Sequence, residues 1–65
     1  MSLYDYRESL EISKGDPGFR ALIMAAMRKA DDINVEILKT AYPEIWSELF
    51  ARHYADGGIL PGEKP

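Results

Sequence analysis

His53 is the only histidine of the chain and the first residue to consider for catalysis. General acid–base catalysis needs a partner side chain within hydrogen-bonding reach and a cleft around both. Phe50, Leu49 and Trp46 lie three, four and seven positions before His53, so the histidine belongs to the apolar stripe of a helix. We therefore predict that His53 packs in the core, that the chain has no catalytic residue and that it is not an enzyme.

A small enzyme is the alternative, and it would need a cleft that brings His53 together with Glu36, Glu44 or Asp31. The adjacent carboxylates Asp31 and Asp32 could also be metal ligands. Neighbouring carboxylates alone do not supply the roughly six oxygen ligands of a calcium site, whereas either residue makes a good helix cap. We expect capping, and we expect no metal and no cofactor.

The length predicts a single helical domain, residues 1–65. A chain this short buries only about 60% of its unfolded surface and is marginally stable alone. With no cysteine and one histidine it has no disulfide and no plausible zinc site. A well-packed core or self-association must therefore stabilise it.

The net charge of −3 and the pI near 4.9 bear on partners and location. Nucleic-acid-binding domains usually carry a basic face, so a nucleic-acid partner is not expected. No apolar run approaches the ~20 residues of a membrane span, and the N-terminus shows no secretory pattern. We expect a cytoplasmic protein that does not bind membranes.

Four turn-forming stretches, KGDPG, ADD, YP and DGG, divide the chain into helical segments. The predicted fold class is all-α, a small orthogonal bundle of three to four short helices with the apolar C-terminal tail, residues 59–65, folded back. The helices are expected at about 2–14, 17–30, 33–41 and 43–55. Residues 62–65 are expected to be loose.

The N-terminal segment, residues 1–15, has two apolar faces, one with Leu3, Tyr6 and Leu10 and another with Tyr4 and Ile12. Either this helix contacts two neighbours, one of them in another chain, or it is a frayed terminus with tyrosines on its surface. For the first alternative, the candidate interaction surface comprises Tyr4, Ile12 and Met24.

The second segment should be the central helix. Asp16 is a good N-cap, and Pro17 suits the first helical position. The inward stripe is expected to be Phe19, Leu22, Ile23, Ala26, Met27 and Ala30. Because apolar residues also occupy the other side, this helix is predicted to pack on more than one neighbour.

Pro43 should end one helix and begin the next. Inside a helix a proline lacks the N–H and clashes with the preceding turn, which costs about 3 kcal/mol, but at the first position that cost is absent. The main inward stripe expected before the break is Ile33, Ile37, Leu38 and Ala41, and Val35 with Tyr42 extends it sideways. The inward residues expected after the break are Tyr42, Ile45, Trp46, Leu49, Phe50 and His53.

The second and third segments could form a helix-turn-helix, whose recognition helix normally begins with residues that reach bases and phosphates. Here the third segment begins with Asp31 and Asp32, followed by Glu36. These carboxylates would repel phosphates. A small DNA-binding regulator is therefore the alternative function rather than the preferred one.

Residues Arg20–Glu63 resemble a group of short uncharacterised helical proteins encoded by bacteria and their phages or prophages. The resemblance rests on the ALIMAAMRKAD helix, the AYPE joint, the ELFARHY helix and the GGILP tail. It supplies no catalytic residue. It implies an accessory protein that acts by binding another protein, which agrees with our expectation of a non-enzymatic interaction module with a protein partner or a homodimer.

Overall fold

The computed structural model describes residues 2–64, which form four α-helices and no strand. The helices are α1 (Leu3–Lys14), α2 (Phe19–Lys29), α3 (Asp32–Ala41) and α4 (Pro43–His53), followed by a 3-10 turn (Asp56–Gly58). Helices α2, α3 and α4 all contact one another and form a small bundle, whereas α1 contacts none of them. The predicted all-α fold is confirmed.

The break at Pro43 is confirmed. Helix α3 ends at Ala41 and α4 begins at Pro43, with Tyr42 in a non-helical conformation between them (φ −132°, ψ 63°). The N–H of Tyr42 donates to the carbonyl of Leu38 at 2.8 Å, so the last turn of α3 is closed before the chain changes direction. Capping by Asp31 is also confirmed, because its carboxylate accepts from the N–H of Asn34 at 2.8 Å.

The predicted start of α2 is wrong. The helix begins at Phe19 with Gly18 as its N-cap, while Asp16 has φ +50° and caps nothing in α2. The N–H of Asp16 instead donates to the carbonyl of Ser13 at 2.9 Å, which satisfies the C-terminus of α1. Because Asp16 ends α1 in a left-handed conformation, it cannot also cap α2. Pro17 therefore lies in the link between the two helices.

The fully buried core is small among the described residues. Only Met27 of α2 (3% exposed) and Leu49 of α4 (7%) are buried. Half-buried side chains surround them from all three bundle helices: Ile23, Met24, Ala30, Val35, Leu38, Tyr42, Ile45 and Trp46. A bundle of three short helices covers only a narrow strip of each one.

The rest of the predicted inward stripes is therefore wrong. Five large apolar residues that were expected inside are exposed: Phe19, Leu22, Ile33, Ile37 and Phe50. Helix α3 shows the error best, since Ile33 is 75% and Ile37 59% exposed while Val35 and Leu38 face the bundle. Helical periodicity identified the apolar residues of α3 but not which of its two apolar sides the neighbouring helices cover.

The C-terminal tail folds back onto α4, as predicted. Arg52 donates to the carbonyl of Gly58 at 2.7 Å and forms a two-pronged ion pair with Glu63, at 2.8 and 2.7 Å. The N–H of Leu60 also donates to the Glu63 carboxylate, at 2.9 Å. The expectation that residues 62–65 are loose is wrong at Glu63; Pro65 lies outside the described residues.

Candidate interaction surface

Helix α1 carries apolar side chains among its charged ones, and no other described helix covers them. Its large apolar side chains are all exposed: Leu3, Tyr4, Tyr6, Leu10 and Ile12. Local bonds hold the helix instead. Ser2 and Asp5 form a reciprocal capping box, with the Ser2 hydroxyl accepting from the Asp5 N–H at 3.1 Å and the Asp5 carboxylate accepting from the Ser2 N–H at 3.2 Å.

The structure separates the three residues of the predicted interaction surface. Tyr4 and Ile12 are exposed on α1, and the Tyr4 hydroxyl donates to Glu8 at 2.8 Å. Met24 is half-buried and lines a small cavity between α2 and α4, beside Ile45. Because α1 does not contact α2, these residues do not form one continuous surface within a single chain.

A second apolar surface, which we call the hairpin surface, lies on α2 and α3. It consists of Phe19, Leu22, Ile33 and Ile37, all exposed. The Phe19 ring packs edge-on against Tyr42, with centroids 5.8 Å apart. Ala41 lines both the cavity that contains Phe19 and the one that contains Ile37, so it connects the Phe19 end of α2 with Ile37 of α3.

Charges border both surfaces. Arg7 and Lys14 follow Leu3 and Leu10 at helical spacing, so they lie along the Leu3–Tyr6–Leu10 face of α1. Asp32 and Glu36 lie along the edge of the hairpin surface, where Glu36 lines the cavity beside Ile37.

Two of these charges already have a partner within the chain. Lys14 pairs with Glu11 at 2.9 Å, and Glu36 pairs with Lys39 at 3.1 Å. Within residues 2–64, Arg7 and Asp32 take part in no ion pair. These two charges are therefore available to a partner.

His53 is exposed, so its predicted burial is wrong. It lies one turn beyond Leu49 and packs edge-on against the Tyr54 ring, with centroids 5.0 Å apart. With Met27, Trp46 and Phe50 it borders an open groove of about 310 Å³. None of the three carboxylates considered above, Asp31, Glu36 and Glu44, lines this groove.

Two kinds of feature are absent from residues 2–64. No group of three or more histidine, cysteine, aspartate or glutamate side chains is arranged to hold a metal ion. No helix there is long and apolar enough to cross a membrane. At the start of α3, Asp31, Asp32 and Glu36 are all exposed.

Sequence reasoning missed the Arg52–Glu63 contact. Arg52 pairs with Glu48, four residues earlier, at 3.5 Å, but its closer partner is Glu63 at 2.7 Å. The Arg52 guanidinium and the Leu60 N–H together lower the pKa of Glu63 to about 2. No spacing rule pairs residues that lie 11 positions apart across a glycine turn, so only the folded tail reveals this contact.

Comparisons with protein-family models, with curated proteins and with solved structures give no match for this chain.

Proposed function

We propose that this chain is a non-enzymatic protein-interaction module that associates with itself or with another protein. The observation that carries the proposal is α1, a capped helix with apolar side chains on two sides and no contact with the other helices of residues 2–64. An isolated helix of about 12 residues is marginal in water. A partner that covers an apolar face of α1 would stabilise it.

The hairpin surface supports the same proposal. Single exposed apolar residues are ordinary on a protein surface, but contiguous exposed apolar patches often mark sites of protein association. Here four large apolar residues lie on two adjacent helices. In the cytoplasm, the location we propose, such a surface favours association with another protein.

The resemblance to short bacterial and phage proteins adds a biological setting to the proposal. In that setting the module would be an accessory protein of a phage or prophage, and its role would be to bind another protein. Genome neighbourhood tests this part. Homologous genes lying outside phage or bacterial genomes would contradict it.

The competing hypothesis is a DNA-binding regulator that uses α3 for recognition. The exposed side of α3 combines Ile33 and Ile37 with the carboxylates of Asp32 and Glu36. That composition opposes phosphate binding and favours an apolar partner. We expect no shift of a DNA duplex in a gel at low salt; a shift that persists at moderate salt would favour the regulator.

The interaction proposal is tested with tagged protein and three charge-neutral double variants. Tyr6→Gln/Leu10→Gln and Tyr4→Gln/Ile12→Gln each alter one apolar face of α1, while Ser9→Gln/Ser13→Gln is the polar control. Mass in solution and capture from cell extract are measured for each. We expect at least one apolar-face variant either to form a smaller assembly in solution than the control or to lose a captured partner that the control keeps. No difference among the variants in either measurement would contradict the proposal.

A further inference from the structure

Within the described part of the chain, residues 2–64, two apolar surfaces are left uncovered. One is the α1 stripe, which consists of Leu3, Tyr6 and Leu10 on one side of α1. The other is the hairpin surface of α2 and α3. All their large apolar side chains are exposed, although helical periodicity predicts that the hairpin residues should be inside.

The exposed area is larger than a compact monomer needs. The accessible surface is 5641 Å². The scaling of surface with mass gives about 4,200 Å² for a compact monomer of 7.4 kDa. The excess is about 1,400 Å², whereas each partner in a standard protein interface buries about 800 Å². The chain therefore exposes enough additional surface to form a stable dimer.

The link between α1 and α2 directs α1 away from its own bundle. Asp16 is held at φ +50°, a conformation that costs energy for any residue except glycine. Pro17, which follows it, has a fixed φ and restricts rotation further. Short strained links of this kind favour exchange of an element between two copies over folding back within one.

The dimensions and charges of the two surfaces are complementary. Helix α1 has 12 residues, or about 18 Å, and α2 and α3 have 11 and 10 residues, or about 15–17 Å. The α1 stripe is bordered by Arg7, and the hairpin surface by Asp32 and Glu36. Opposite charges at the edges of an interface favour encounter and fix the register.

We propose that α1 of one copy packs through its stripe on the hairpin surface of a second copy, and that α1 of the second copy packs in the same way on the first. The occupant of the hairpin surface is thus α1 of another molecule, in a two-fold symmetric exchange dimer. The inference rests on the proposed function and specifies its partner. It also assigns the contact to the α1 stripe and not to the opposite face of α1, which carries Tyr4 and Ile12.

The first experiment is a mixing test followed by light scattering. A stripe variant, Tyr6→Gln/Leu10→Gln, keeps an intact hairpin surface, and a hairpin variant, Ile33→Gln/Ile37→Gln, keeps an intact stripe. Each alone should dimerise at least about a hundredfold more weakly than the unmodified chain, because large apolar contacts are lost in both halves of the dimer. The mixture should recover dimers, since one of the two contacts can form again.

Matched controls make this result specific. All four altered side chains are exposed, so each variant should keep its folded α2–α4 bundle, which the near-ultraviolet circular dichroism of Trp46 reports. Tyr4→Gln/Ile12→Gln, on the opposite face of α1, should dimerise like the unmodified chain. Pairing of two α1 helices would leave the hairpin variant dimeric on its own, and that outcome would overturn the proposal.

The second experiment separates exchange from folding back. The chain has no cysteine, so Tyr6→Cys and Ile37→Cys introduce single thiols on the α1 stripe and on the hairpin surface. A short bismaleimide should link the two single variants when they are mixed, and should link Ile12→Cys with Ile37→Cys much less. In the double variant Tyr6→Cys/Ile37→Cys, exchange gives linked dimers. Linked monomers would show that α1 folds onto its own bundle and would overturn the proposal.

The failure of this inference is distinguishable from that of the proposed function. A chain that stays monomeric at tens of micromolar, but captures a partner through an apolar face of α1, overturns the exchange dimer and leaves the interaction module standing. A monomer whose capture is the same in every α1 variant overturns both.

Discussion

Helices α1 and α4 are almost equal in length, at 12 and 11 residues, but are stabilised in opposite ways. Helix α1 has a capping box, a Tyr4–Glu8 hydrogen bond and a Lys14–Glu11 ion pair, and it buries nothing. Helix α4 has no side-chain cap, yet it contacts both other bundle helices and the 3-10 turn.

This contrast separates local from tertiary stabilisation. Bonds between residues three or four apart can form α1 without a neighbour, although each contributes little. Helix α4 depends on packing, as most short helices in proteins do. A helix that local bonds stabilise and whose apolar faces are exposed, such as α1, is suited to bind a partner. A helix that depends on packing, such as α4, forms the scaffold of the bundle.

The largest expected effect is at the centre of the bundle. Leu49→Ala removes most of a buried side chain and should lower the free energy of unfolding by about 3 kcal/mol. That is a large fraction of the total stability of so small a domain. Ile12→Ala, on exposed α1, should change it by less than about 0.5 kcal/mol. Thermal unfolding followed by Trp46 fluorescence measures both. Equal effects would mean that α1 is part of the packed bundle.

A smaller change should distinguish the two kinds of helix by their caps. Ser2→Ala removes the capping box of α1 and, at protein concentrations low enough for the chain to be monomeric, should weaken that helix by about 1 kcal/mol, with loss of helical circular dichroism but no change in the Trp46 transition. Asp31→Ala removes the cap of α3 and should lower the stability of the bundle by a similar amount. A shift of the monomer's Trp46 transition with Ser2→Ala would show that α1 packs on the bundle of its own copy.

The tail should respond to acid without involving α1. The pKa of Glu63 is lowered from 4.5 to about 2, chiefly by Arg52, so the ionised carboxylate stabilises the docked tail above about pH 4.5. That contribution should be lost progressively as the pH falls toward 2. The amide signal of Leu60, followed by NMR, measures the loss, and Glu63→Gln should abolish its pH dependence. A Glu63 titration near pH 4.5 would show that the ion pair does not persist in solution.

The smallest expected effect is at the edge of the proposed dimer. Arg7→Glu should weaken dimerisation about threefold at low salt, because exposed ion pairs contribute about 0.2–1 kcal/mol. The effect should fade as salt is raised. Adding Asp32→Arg should restore part of the loss, and sedimentation at several protein concentrations would measure it. A loss that salt does not change would place Arg7 outside the contact.

Much of the fold could be predicted from local chemistry. Pro43 determined the break between α3 and α4, and Asp31 determined where α3 begins, because both act on the backbone within a turn of their own position. The prediction failed at Asp16, because this residue could either end α1 or cap α2. Of the three residues predicted to form the interaction surface, Tyr4 and Ile12 are exposed and Met24 faces α4, and their binding to a partner stays a prediction.

The sequence by itself determined that the chain is helical, where most of its helices end and which residues are apolar, because these properties depend on neighbours within about four positions. Only the tertiary structure decided that Met27 and Leu49 form the buried centre, that Ile33 and Ile37 stay exposed, and that Glu63 returns to Arg52. The physical reason is that burial depends on which other helix lies across a given face, and that geometry is not encoded by the spacing of residues along one helix.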